Sequence, residues 1–210
     1  MKDITQQIFD EAINIYCYGS YVYGTFKDGT SDKDYIIVVP DSSNYPEQIR
    51  HKNSDFNFYK ESDWIKKMEN NDVECLECEF LEEKYILKQS KKYKFDLNKN
   101  LVRKNISATA SNSYVKCKKK LTVEDSYNPK VGKKSLWHSL RLLQFGIQIM
   151  THNKIYDYKQ ANYYYNDIIN LDNNWEVISK KYKPIYNKLK SEFKIEHNKV
   201  LNNKENDYDR

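Results

Sequence analysis

Asp32 and Asp34 stand one residue apart, directly ahead of the apolar run 35–39 and eleven residues after the pair Gly19-Ser20. Side chains alternate across a strand, so carboxylates at i and i+2 point the same way. Such a pair offers hard oxygen ligands to one or two Mg²⁺ ions, a cation that usually takes one or two carboxylates together with substrate phosphates. A glycine followed by serine lets the backbone come close to a phosphate. These types at this spacing point to a site for a nucleoside triphosphate and its metal ions. An isolated Asp-x-Asp is commonly a solvated turn. The upstream Gly-Ser pair and the Tyr-Ile-Ile-Val-Val that follows set this one apart.

The elements that must position these residues can be read from periodicity and punctuation. Ile4, Ile8, Ala12 and Ile15 recur at helical spacing, which predicts a helix over 4–14. A short strand over 15–18 then runs into Gly19, and a helix over about 19–26 opens on the Gly-Ser turn. Residues 27–30 form a turn, and 35–39 form a buried strand stopped by Pro40. Residues 55–59 alternate polar and apolar, the period of a second core strand. Ser62 is the expected cap of a helix reaching about Asn70. Helical patterns follow over 97–121, 135–150 and 175–193, with 122–134 as a loop and Pro184 expected to kink or split the last helix.

The stretch 18–39 resembles the signature of the DNA polymerase β-type nucleotidyltransferase superfamily: a Gly-Ser turn, a spacer of about ten residues and Asp-x-Asp on a strand. Lys33 departs from the apolar residue more usual between the two aspartates. The stretch 133–143 contains Lys133, Lys134, His138, Arg141, Leu142 and Leu143. It is similar to a helix in one branch of that superfamily, the predicted nucleotidyltransferases associated with RNA repair. Together with 55–80, the likeness extends over about 15–195.

The resemblance implies an α/β (α+β) fold, a small mixed sheet flanked by helices and followed by a C-terminal helical region. The expected division is a catalytic core at 1–95, a helical region at 96–196 and a polar tail at 197–210. Asp32 and Asp34 would bind catalytic metals, with Asp55 where the third carboxylate of the family falls. Gly19 and Ser20 would contact the triphosphate. The metals would be two Mg²⁺ ions, with Mn²⁺ as an alternative. Lys134, His138 and Arg141 fall at i, i+4 and i+7 on one helical face and are candidate nucleotide-binding residues. The bland reading of that trio is a solvated basic edge on a core helix.

The implied reaction moves a nucleoside monophosphate from an NTP to a hydroxyl, with ATP as one candidate donor. The expected acceptor is an RNA end. A protein side chain is the second reading, and a catalytically silent nucleotide- or RNA-binding protein the third. The basic stretch 116–120 would be an RNA contact if it is more than a solvated face.

Composition is compatible with this. The chain has 210 residues with a net charge of +5 and 19 tyrosines, so its core must draw on aromatics. No apolar run approaches the length of a membrane span. Cys75 and Cys78 have zinc-like spacing, but a zinc site needs four ligands and no second pair lies nearby, so they read as ordinary thiols. Cysteine usage favours a reducing compartment, hence an intracellular, cytoplasmic location.

Overall fold

A computed structural model describes residues 4–208, with side chains described for 5–202. The fold is mixed α/β: a five-stranded mixed sheet flanked by helices, then a helical region. The chain divides between Asp96 and Leu97 into two compact units.

The sheet unit contains β1 (Asn14–Tyr18), β2 (Lys33–Val39), β3 (Gln48–His51), β4 (Ser54–Lys60) and β5 (Ile86–Gln89), in spatial order β3-β4-β2-β1-β5. Among the described strands only β2 and β4 pair in parallel. The continuous apolar run in β2 arises because both faces of the sheet are covered. Ile37 and Val39 face α1 (Ile4–Glu11) through Ile8 and Ala12, with Phe56 and Phe58 beside them. Ile36 and Val38 face Trp64 of α3 (Glu61–Glu69) and Cys75 and Cys78 of α4 (Val73–Glu79). Here α2 is Gly19–Tyr23, a single short turn of helix that ends at Gly24 rather than reaching Phe26.

One local expectation changes. Ser62 does not cap α3; its backbone N–H donates to Asp41 Oδ1 at 3.0 Å, so a carboxylate from the loop after β2 satisfies that orphan donor. That contact holds the Asp41 carboxyl below its usual range. Strands β3 and β5 had no sequence expectation. Both are four residues long and half exposed, too short to display a clear period.

The helical unit contains α5 (Lys99–Thr122), α6 (Pro129–His152), α7 (Asn162–Asn170) and α8 (Trp175–Tyr208). Helix α6 begins six residues earlier than its apolar stripe suggests. Pro129 occupies its first turn, and the Asn128 side chain accepts from Val131 N at 3.1 Å. The helix is central, buried on nearly every side, and Gly146 lets α8 come close: a Cβ there would lie 2.6 Å from the Phe193 ring. Helix α8 runs through Pro184 without a break and continues into the segment expected as a polar tail. The Lys199–Glu196 pair at 2.6 Å supports that continuation. Residues 209–210 lie outside the described residues.

Candidate active site

Sheet register brings the sequence's carboxylates together. Asp34 is the second residue of β2 and lies directly beside Asp55 in the parallel β2–β4 ladder. On its other side Asp34 faces Tyr18, the last residue of β1. Asp55 in turn faces Arg50 across the β3–β4 hairpin. Tyr18, Asp34, Asp55 and Arg50 therefore form one row across four strands, on the same face as Ile36 and Val38 and beyond the end of that apolar layer. Asp32 precedes β2 by one residue and joins the row through Arg50, whose Nη2 donates to its Oδ2. Arg50 Nε also donates to Asp55 Oδ1 at 2.8 Å, and Nη2 donates to Asp55 Oδ2 at 3.2 Å.

The row is wet on one side and dry on the other. Side-chain exposure is 64% for Arg50, 41% for Asp32 and 16% for Asp55. Lys33 points away to solvent, its ammonium 5.5 Å from the Tyr21 ring centroid. That accounts for a charged residue between two aspartates. Glu61 and Asp63, the other acidic residues near β4, are engaged elsewhere, with Lys91 at 2.5 Å and Lys66 at 3.2 Å.

The Gly-Ser pair stands against the same row. Gly19 has φ +67°, and a Cβ built there would lie 2.0 Å from Asp34 Oδ2. Any larger residue would be strained and would displace the carboxylate. The turn is fixed from behind, because the buried Tyr23 hydroxyl donates to the Glu77 carboxylate on α4.

The donor chemistry fits a hard divalent cation. Three carboxylates approach from adjacent backbone positions, and a guanidinium stands between two of them where positive charge is required. As placed, no group of three His, Cys, Asp or Glu side chains among the described residues could hold a metal ion. The fit is thus one of ligand type and alignment, with Arg50 inserted into the set.

The second group of candidates lies in the helical unit. Lys134 is exposed. Arg141 is 2% exposed; its Nη2 meets His138 Nδ1 at 3.0 Å, and its guanidinium lies 5.0 Å from the Trp137 ring and 5.5 Å from the Phe145 ring. Burial first, then the charges of Arg141 and Lys116, push the His138 pKa down to about 3. A neutral imidazole accepts at Nδ1 from the Arg141 guanidinium. Neighbouring Lys133 is also buried, and donates to Ile169 O at 3.1 Å and to Leu171 O at the C-terminal end of α7. The expected basic face therefore holds one open cation, Lys134, beside charges turned inward. Lys116, Lys118 and Lys119 are exposed on α5, whereas Lys120 is half-buried. The four cysteines are all buried and free.

Arg50 is the functional candidate that sequence reasoning missed. Its signal was faint: a two-residue turn, Lys52-Asn53, between short polar–apolar alternations. Lys52 adopts φ +53°, and the tightness of that turn sets Arg50 opposite Asp55.

Comparison with known families agrees with this geometry. Residues 1–97 match the model of a family described as a nucleotidyltransferase domain. The match covers the sheet unit and the acidic row, and it supports nucleotidyl transfer in general. No curated protein matches the chain. No helix among the described residues is long and apolar enough to cross a membrane.

Proposed function

We propose that the protein transfers a nucleoside monophosphate from an NTP to the hydroxyl of an RNA end, using the row of Asp32, Asp34 and Asp55. The observation that carries this reading is the in-register pairing of Asp34 with Asp55, with Gly19 packed against Asp34. Adjacent parallel strands hold two carboxylates at a spacing fixed by the backbone ladder, and Asp32 completes the set from the entry to β2. These three would hold Mg²⁺, or Mn²⁺ in its place. A divalent cation bound there supplies charge neutralisation on the triphosphate and lowers the pKa of the acceptor hydroxyl.

The remaining work falls to the chain itself. Gly19 leaves room for the Asp34 carboxylate, and the Gly19-Ser20 turn would offer the Ser20 hydroxyl and backbone N–H to a phosphate. Asp55, less exposed than Asp32, would orient the attacking hydroxyl. The exposed lysines of α5 support RNA as acceptor, because each phosphate contact gains from counterion release. On this reading the protein acts inside the cell, where NTP, Mg²⁺ and RNA are together.

The deciding experiment supplies each α-labelled NTP with Mg²⁺ and offers total RNA and total protein as acceptors. Label in RNA is the expected result. Label in protein replaces the acceptor, and label in neither removes the transferase reading.

A further inference from the structure

Arg50 forms a fork to Asp55, through Nε at 2.8 Å and Nη2 at 3.2 Å, and reaches Asp32 with the same Nη2. A guanidinium divided between two carboxylates occupies the line along which a shared cation would bind. The cross-link is mostly solvent-exposed on the arginine side, and exposed ion pairs contribute little to stability. It is therefore cheap to open. Its alternative is worse for the resting protein, since two carboxylates facing one another without a counter-charge repel. A divalent ion bound by Asp32 and Asp55 must displace the guanidinium from both.

We propose that Arg50 is a positioning residue, the resting counter-ion of the acidic row, which competes with the divalent cation for Asp32 and Asp55. The proposal rests on the reading that these carboxylates hold a metal. Arg50 keeps the row aligned when no cation is present and yields it when one arrives. The two-residue hairpin turn makes this selective, because it fixes the arginine backbone opposite Asp55 while leaving its side chain free to swing outward.

The test uses the full chain and Mn²⁺ alone, with free Mn²⁺ followed by electron paramagnetic resonance. Arg50→Ala and Arg50→Gln should bind Mn²⁺ about five-fold more tightly than wild type, the worth of one exposed ion pair. Arg50→Lys should fall between, since an ammonium cannot fork. Asp32→Asn serves as the control for the site itself. In wild type, titration with diamagnetic Mg²⁺ should shift the NMR resonance of Arg50 Nε. Wild-type binding that Asp32→Asn removes, combined with unchanged or weaker binding in both Arg50→Ala and Arg50→Gln, keeps the metal reading and overturns this proposal. An Arg50 resonance unmoved by saturating Mg²⁺ overturns it as well. Absence of Mn²⁺ binding in wild type and all variants removes the metal reading and the proposal together.

Discussion

The two units treat charge in opposite ways. In the sheet unit, Asp32, Asp34, Asp55 and Arg50 gather at the rim of the apolar layer, in contact with water. In the helical unit, Arg141 and Lys133 are buried against His138, two aromatic rings and the carbonyls at the end of α7. Charge at a wet rim can exchange partners and so do chemistry. Charge enclosed with fixed partners specifies packing, and removing one partner leaves the other stranded. The same residue types thus carry different meanings, and the surroundings decide which applies.

Substitutions test that contrast directly, and the largest effect is expected at the rim. Asp34→Asn or Asp32→Asn should lower transfer about a thousandfold or more, on the order of 4 kcal/mol of transition-state stabilisation, with the circular dichroism spectrum unchanged. Gly19→Ala should behave similarly, because the added Cβ would meet the Asp34 carboxylate. Turnover near wild type in any of these with a folded spectrum breaks the assignment.

The helical unit should show the reverse pattern. Arg141→Ala is expected to cost about 3 kcal/mol of stability through a stranded His138 and lost ring contacts, with nucleotide affinity unchanged. A denaturant titration beside a nucleotide-binding curve measures both. A raised nucleotide Kd at unchanged stability would return Arg141 to the binding machinery.

His138 gives a smaller and graded effect. Its folded pKa is lowered to about 3, so below about pH 6.5 the unfolded chain binds the proton first. Stability is full above that point and falls as pH drops toward 3, by up to about 1.4 kcal/mol per pH unit. His138→Gln should flatten this part of the melting-temperature profile. An identical profile would show that His138 is solvated.

The smallest effect is expected on α5. Lys118→Glu with Lys119→Glu should weaken RNA binding and flatten its salt slope by about one or two units, leaving nucleotide binding as it was. A slope unchanged by the reversal places the RNA contact elsewhere.

The same contrast explains what was legible in the sequence. That Asp32 and Asp34 share one side was legible from strand alternation, whereas Asp55 and Gly19 were expected from the family resemblance, since Asp55 meets Asp34 only through strand pairing. The continuous run 35–39 disclosed a strand covered on both faces. Arg50 was not legible, because its place depends on pairing between strands, which no local pattern encodes. The inward turn of Lys133 and Arg141 was hidden for a related reason. Helical spacing reveals which residues share a face, yet α6 is enclosed by three other helices and has almost no outward face. Asp41 replaced Ser62 as the donor's partner because a cap can come from a distant loop.

The β3–β4 hairpin ends at the edge of the sheet, and among the described residues β3 pairs with no strand but β4. Edge strands fray before central ones, so the local opening of β3 sets how long Arg50 stays within reach of Asp55. On the proposed role of Arg50, charge compensation at the rim and mechanical order at the margin are therefore coupled. On the proposed competition, a cation taking the carboxylates would remove the tether on the hairpin, and amide exchange at Ile49 and Arg50 would become a clock for the charge state of that centre.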